Sequence, residues 1–370
     1  MIIIIISYFN RDLFGSEKVN SKRQLELDVA KFFAIVLMIM VHCLAFCSLC
    51  PINHPYLEYL FIFMQCSAPL FMFAMGVGMV YTRHDSSKEF MTRGIKLILM
   101  GFIINLIYFV SGYIGELEIE YCILSLISND ILQFAGLSFI LIGLFKRIKL
   151  NIKQMFLISI LLSILGTFIN HVSFSNMYLS QFLGHFIGTE GYKVVSCFPV
   201  LNWFVVPVAG LIFGNYLIRC TDKTEFYKKI FIPTSVLSIV FMAVGLITRY
   251  GMFSSTGGKV YEKLQYLHLS TPDMLILLVV ILFLVSLFYF LLPFVPRNLK
   301  SLIKITSRNV TVIYIVQWAL LLLLINPLNE FLHITSSYTV AVVTIVGIII
   351  ISVILSEMYN KIKYLIINKK

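Results

Sequence analysis

Charged residues are scarce in this chain of 370 residues. They make up 13% of it, whereas hydrophobic residues make up 59% and the mean hydropathy is +0.92. Soluble globular domains usually carry about 25% charged residues, so this composition excludes a soluble fold. The sequence also lacks Pro-rich linkers and low-complexity segments other than its apolar runs. These features predict an all-α, polytopic membrane protein with a single integral domain.

Cysteine patterns typical of metal or redox sites are missing as well. Among the seven cysteines, Cys47 and Cys50 form a lone C-x-x-C, with no second pair and no thioredoxin-like context. Cys43, Cys47 and Cys50 follow helical spacing, which indicates packing inside a helix. We therefore expect no metal cofactor.

Ten hydrophobic runs are long enough to cross a bilayer, which takes about 20 residues. Most of the 29 Lys and Arg lie near the two termini and in alternate connectors between these runs. Cytoplasmic loops carry the excess of Lys and Arg in membrane proteins, so both termini are predicted to be cytoplasmic. We expect a tail at 1–25, one membrane domain at 26–360 and a second tail at 361–370. The predicted spans are 30–50, 57–82, 92–112, 124–145, 153–171, 197–218, 230–249, 273–295, 303–326 and 338–358.

The net charge of +11 therefore has a topological origin. The chain contains no basic soluble module, so we expect no nucleic-acid partner. The expected environment is a lipid bilayer, with the chain as a multi-pass protein of the plasma membrane. Nothing in the sequence indicates an oligomeric state.

His42 lies inside the first predicted span, with Asp28 and Lys31 below it. At about 100° per residue, the three side chains fall within a sector of roughly 60° on one helix face. If the helix enters the membrane near Lys31, His42 lies about 17 Å deeper, near the bilayer midplane. Ionisable residues within a span are candidates for function, and imidazole exchanges protons near neutral pH. We predict that His42 is catalytic and that Asp28 supports it; the alternative is a histidine that merely bonds to a neighbouring helix.

Several segments, in order along the chain, are similar to those of membrane acyltransferases. Lys31, ten intervening residues and His42 resemble the first helix of the acyltransferase-3 family. The other segments resemble later signatures of that family or of the heparan-α-glucosaminide N-acetyltransferase branch of the same superfamily. They are S-A-P-L-F-M-F-A-M-G-V-G (67–78), Arg93 with Lys96, D-I-L-Q-F-A-G-L (130–137), C-F-P-V-L-N-W (197–203) and S-R-N-V-T-V-I-Y-I-V-Q (307–317).

The chain departs from these patterns at two positions. Lys31 replaces the commoner arginine, and Gln317 stands where a histidine is usual, so position 317 cannot titrate. In the heparan-type branch the key histidine comes later, in the loop after the first span. His54 lies close to that place, so the resemblance leaves His42 and His54 as competing catalytic residues.

The resemblance implies acyl-CoA, most often acetyl-CoA, as the donor. The phosphates of CoA would suit the cations Lys31, Arg93 and Lys96 on the cytoplasmic side. For Arg93 and Lys96, ordinary charge flanking a span is the alternative explanation.

Four further residues are candidates for binding the acceptor. Asp130 and Gln133 lie one helical turn apart near the outer end of the fourth span, where they would bind the acceptor, hold a histidine, or simply cap the helix. Asn202 and Trp203 open a later span and would contact a sugar, although tryptophan is common at the membrane interface in any case.

Together these features predict an integral-membrane acyltransferase. It would move an acyl group, expected to be acetyl, from cytoplasmic acyl-CoA to a hydroxyl or amine of a saccharide at the outer face. A transporter or flippase for a small or lipid-linked solute is the main alternative. A non-catalytic protein with a degenerate acyltransferase fold is the other.

Overall fold

Most of the structure is helical. The computed structural model describes residues 13–47, 63–191, 194–248, 267–335 and 337–367. Within them, eight helical segments are long and apolar enough to cross a membrane, and two shorter apolar helices occupy the second and fifth predicted spans. The prediction of an all-α polytopic membrane protein is confirmed.

The elements follow one another in a simple order along the chain. They are α1 Leu25–Phe46, α2 Ser67–Tyr81, α3 Ser87–Ile114, α4 Ile119–Leu126, α5 Ile131–Arg147, α6 Ile152–Phe168, α7 Met177–Leu183, β1 Glu190–Gly191, β2 Val194–Val195, α8 Val200–Trp203, α9 Val205–Arg219, α10 Lys223–Thr248, α11 Thr271–Leu291, α12 Arg297–Arg308, α13 Val310–Ala319, α14 Asn326–Leu332 and α15 Tyr338–Ile367. Strands β1 and β2 pair antiparallel, with Glu190 opposite Val195.

Two predicted spans contain breaks. The fourth consists of α4 and α5, and Asp130 caps the start of α5 by accepting a hydrogen bond from the Ile131 backbone N–H at 2.6 Å. The predicted ninth span, 303–326, starts too early, because α12 is a separate amphipathic helix that carries four cations. The apolar segment begins at Val310 and continues through a π-helical turn at Leu320–Ile325 into α14.

Helices α2 and α9 pack with almost no space between their backbones. A Cβ on Gly76 would overlap the carbonyl oxygen of Pro207, and a Cβ on Gly210 would overlap that of Phe73. Small residues let membrane helices approach in this way. Both helices belong to the larger apolar core, which also includes residues of α6, α10 and α11.

A second apolar core surrounds the later half of α1. It joins Ile35, Ile39 and Cys43 to Tyr314 and Trp318 of α13, and it extends to α15. Helix α13 is therefore held against the part of α1 that carries His42.

In the residues that the structure describes, the two predicted tails are not separate from the helical domain. The Gly15 backbone N–H donates to the Arg219 carbonyl, and that of Thr221 donates to the Leu13 carbonyl, each at 3.0 Å. The segment before α1 therefore packs against the α9–α10 connector. At the other end, α15 continues to Ile367, past the predicted boundary at residue 360.

Candidate active site

His42 is surrounded by three residues of α13. The Gln317 amide nitrogen lies 2.7 Å from His42 Nδ1. The Trp318 ring stacks on the imidazole, with 4.2 Å between centroids, and the Tyr314 ring lies 5.9 Å away. These positions are spaced i, i+3 and i+4, so they lie on one helix face. One face of α13 thus fixes both the position and the plane of the imidazole.

The Gln317 carboxamide determines which nitrogen of His42 is free to take a proton. If the amide N–H donates to Nδ1, the ring proton sits on Nε2. If the amide is turned by 180°, its oxygen accepts from Nδ1–H and leaves a lone pair on Nε2. Gln317 Oε1 has no hydrogen-bond partner among the described residues, and the turned amide would give it one. The turned form is therefore the one suited to a general base at Nε2.

Asp130 is connected to His42 through Tyr314. The Tyr314 hydroxyl lies 2.6 and 2.7 Å from the two carboxylate oxygens of Asp130, to which it donates. Asp130 thus binds a tyrosine and caps α5. Next to it, burial and the Asp130 carboxylate raise the pKa of the Cys197 thiol to about 12. The result is a polar group of His42, Gln317, Tyr314 and Asp130 between α1, α5 and α13.

The other predicted acceptor-binding residues lie in the interior. Gln133 donates to Asn105 Oδ1 at 3.1 Å, between α3 and α5. Asn202 donates to the Leu269 carbonyl at 3.1 Å, and Trp203 Nε1 donates to the Leu267 carbonyl at 2.8 Å. All three side chains are buried. Asn202 and Trp203 therefore hold the turn before α11, and contact of any of the three with a saccharide stays a prediction.

At the predicted cytoplasmic end of α1, Asp28 is fully engaged. Arg23 donates to its two oxygens at 2.6 and 3.0 Å, and the Ser307 hydroxyl donates at 2.8 Å. Arg23 also binds Ser307 and the Lys304 carbonyl. Asp28 thus ties the start of α1 to α12, and its role as structural support for the site stays a prediction.

Lys31, one of the three predicted donor-binding cations, lies next to this anchor. Lys31 lies within electrostatic range of Asp28, Arg23 and Arg93. The Arg93 guanidinium lies over the Phe139 ring, 4.9 Å from its centroid. Arg93 and Lys96 are both exposed and lie one turn apart on α3. Lys31 and Arg93 therefore interact electrostatically between α1 and α3, and their binding of a donor stays a prediction.

The family model for the catalytic domain of heparan-alpha-glucosaminide N-acetyltransferase matches residues 23–249. This chain belongs to that family. The match spans more than half of the chain and includes α1, α3, α5 and α9. No curated protein is a significant match to the chain.

Membership in the N-acetyltransferase family implies a membrane acetyltransferase. The predicted resemblance to the heparan-type branch is confirmed, whereas the likeness to the acyltransferase-3 family stays a resemblance. His54, which that branch brought into competition with His42, lies outside the described residues, so its role stays a prediction.

Sequence analysis of this acetyltransferase did not predict three residues that contact the predicted site residues. They are Ser307 for Asp28, Tyr314 for Asp130 and Gln317 for His42, and all lie in the segment 307–317 that resembled a family signature. Their spacing of seven and three residues is typical of one helix face, although in the structure Ser307 lies at the end of α12 and the other two lie on α13. That spacing could have identified them, because polar residues repeated at helical spacing in an apolar segment indicate a face that contacts other polar groups.

Proposed function

We propose that this acetyltransferase moves an acetyl group from acetyl-CoA to the amine of a saccharide, with His42 as general base. The observation that carries the proposal is the set of contacts around His42. Its Nδ1 is bonded to Gln317, its ring plane is fixed by Trp318, and Tyr314 connects it to Asp130. A histidine held in this way inside a span is unusual for a residue that only packs.

The donor would bind at the basic end of α1. Lys31 and Arg93 lie close enough to interact, and Lys96 is exposed on the same helix as Arg93. With the phosphates of CoA at these cations, the thioester would extend along α1 toward His42, about 17 Å away at 1.5 Å per residue. The positive-inside rule makes this end cytoplasmic, so the donor would come from the cytoplasm.

The acceptor would meet the thioester at His42. An amino sugar is protonated at neutral pH, and the Asp130 carboxylate would attract its ammonium group. The ammonium would first lose one proton to water, which gives the nitrogen its lone pair. His42 Nε2 would take a second proton as this amine nitrogen attacks the thioester carbonyl carbon. When the carbon–sulfur bond breaks, the same proton would pass to the CoA sulfur.

We place the acceptor on the outer side and the protein in the plasma membrane. The support is the loop charge pattern, which puts Asp130 and the later half of α1 away from the cytoplasm. The family name favours transfer to nitrogen over transfer to oxygen, and this is why we propose an amine as the acceptor group.

The test is acetyl transfer by purified full-length protein in proteoliposomes. Radiolabelled acetyl-CoA would be supplied with either glucosamine or glucose, and labelled product would be counted. We expect label on glucosamine, and we expect His42→Ala to lower the rate by a factor of about 10² to 10⁴, as for loss of a general base. His84→Ala is the matched control, because His84 is exposed and lies in the connector between α2 and α3, outside both helices.

The His54→Ala variant decides between the two histidines. Loss of transfer in His54→Ala but not in His42→Ala would assign the base to His54 and refute the role proposed for His42. If wild type transfers no acetyl group but takes up a labelled saccharide into the liposomes, the enzyme proposal is wrong and the transporter alternative holds.

A further inference from the structure

A second polar cluster lies apart from the residues around His42. It forms where the segment after α6, strand β1 and the turn before α11 meet. His171, Glu190 and His268 each place one ligand atom within 4.8 Å of the others. His171 is 46% exposed at its side chain, whereas His268 is buried, at 3%. The cluster is therefore open on one side and closed on the other.

Backbone hydrogen bonds bring the first two members together. The Val172 N–H donates to the Gly188 carbonyl, and the Val172 carbonyl accepts from the Glu190 N–H, both at 3.0 Å. Both bonds are made by the residue that follows His171, and His171 itself has a left-handed backbone with φ of 61°. As a result His171 Nδ1 reaches Glu190 Oε1 and forms a hydrogen bond with it.

The position of the ring proton on His268 follows from its surroundings. Its Nε2 lies 2.6 Å from Ser196 Oγ and 2.9 Å from the Ser196 carbonyl oxygen. The Ser196 hydroxyl proton is used in a bond to the Thr189 carbonyl at 3.2 Å. Both Ser196 oxygens are therefore acceptors for His268, so its Nε2 carries the proton and Nδ1 carries a lone pair.

No residue that the structure describes donates a hydrogen bond to that lone pair. His268 Nδ1 is buried without a hydrogen-bond partner, and it lies 3.8 Å from Glu190 Oε1, which is also an acceptor. A buried acceptor that faces another acceptor is unfavourable unless a proton or cation lies between the two. Asn170 fixes this geometry by donating to the His268 carbonyl at 2.6 Å.

We propose that His171, Glu190 and His268 bind a divalent transition-metal ion, with Zn²⁺ as the best fit. Two imidazoles and one carboxylate are a common Zn²⁺ ligand set, with bonds of about 2.0–2.2 Å. Tetrahedral donors at those bond lengths lie roughly 3.3 Å apart, so the His268–Glu190 pair needs to close by about half an ångström. The ion would displace the proton shared by His171 and Glu190, and water would fill the fourth position.

The bond from His268 to Ser196 supplies the support that metal-binding histidines usually have. Such a histidine normally donates its other ring N–H to a carbonyl or carboxylate, which fixes the tautomer. Ser196 precedes Cys197, whose carbonyl accepts from the Asn129 side chain. The ion would thus join three chain segments and hold the loop that lies against the start of α5, next to Asp130.

The test is metal binding by full-length protein purified in detergent with a histidine-free tag. After removal of metals with a chelator, Zn²⁺ would be titrated by calorimetry, and Co²⁺ would serve as a visible-absorption probe. We expect one tight Zn²⁺ per chain and a Co²⁺ band typical of tetrahedral coordination. His171→Ala and Glu190→Gln should each weaken Zn²⁺ binding at least about tenfold and abolish that band.

His84→Ala is the matched control. His84 and Glu89 form an exposed pair with 2.7 Å between Nδ1 and Oε1, but they belong to no three-residue ligand group in the described part of the chain. Added Zn²⁺ should raise the melting temperature of wild type and of His84→Ala, and leave that of His171→Ala and Glu190→Gln unchanged. Equal Zn²⁺ affinity in wild type, His171→Ala and Glu190→Gln would overturn the proposal, as would an equal loss in His84→Ala.

Discussion

Replacement of Gln317 by leucine tests whether the carboxamide assists the base. Leucine fills much of the same volume but removes the only polar group of α13 that lies within 2.7 Å of His42 Nδ1. If Gln317 accepts from Nδ1–H, it stabilises the imidazolium that forms during transfer more than the neutral ring. The variant should therefore lower kcat and leave KM nearly unchanged, which is the pattern of a contact that strengthens in the transition state.

The size of the effect follows from the strength of that hydrogen bond in its two states. A bond between neutral groups contributes about 0.5–1.5 kcal/mol, and one to a charged group contributes about 1.5–3 kcal/mol. The difference, about 1–1.5 kcal/mol, corresponds to a loss in kcat of roughly five- to twelvefold. This is far smaller than the loss expected for His42→Ala. Gln317→Glu keeps an acceptor oxygen, so it should retain at least the wild-type kcat.

The assay is the steady-state rate of acetyl transfer in proteoliposomes, together with the melting temperature. Asn326→Leu is the matched control, because Asn326 donates an equivalent bond from the same span to the Phe46 carbonyl of α1 at 2.8 Å. It should lower the melting temperature without changing kcat. An unchanged kcat in Gln317→Leu, with His42→Ala inactive, would refute the role of the carboxamide. An equal loss in Asn326→Leu would show that helix packing explains the effect.

Three further predictions concern packing, donor binding and thiol chemistry. Gly76→Ala should destabilise the protein by several kcal/mol, because its Cβ would overlap a backbone carbonyl of the neighbouring helix, whereas Gly78→Ala, with nothing within 4 Å, should be neutral or stabilising in thermal melts. Arg93→Gln should raise the KM for acetyl-CoA by up to about fivefold with kcat unchanged, and Lys88→Gln on the same helix should not. Because burial and a nearby carboxylate raise the pKa of Cys197 to about 12, iodoacetamide at pH 7.5 should modify it on the order of a thousandfold more slowly than a free thiol. Rapid modification of Cys197, measured by peptide mapping of the folded protein, would show that the thiol is neither buried nor next to a carboxylate.

The sequence predicted best what depends on a single helix. Lys31 and His42 share α1 without interruption, so helical periodicity alone gave their common face and their separation. For Asp130, predicted to bind the acceptor, capping of a helix was one of the alternatives left open, and Asp130 does cap α5 through the Ile131 N–H. In both cases the interaction is local, and local geometry is what a pattern of residues records.

Contacts between distant helices could not be predicted in the same way. Gln317 was noted only as a residue that cannot titrate, because no local pattern tells which side chain of α13 packs against α1. The expectation of no metal rested on absent cysteine spacing. A site assembled from His171, Glu190 and His268 has no regular spacing, since its members come from three segments that meet only in the folded chain.

The segment from Ser307 to Gln317 holds a partner for each of Asp28, Asp130 and His42. Because these three contacts must form together, the number of residues in this segment is more strictly constrained than their identity. A one-residue insertion in its α13 part would turn everything downstream by about 100° and shift it by about 1.5 Å, so contacts on one side of the insertion would be lost together. A substitution in this segment would affect one contact at a time, whereas a change in its length would affect several. Natural variants of this protein should therefore show neither insertions nor deletions there.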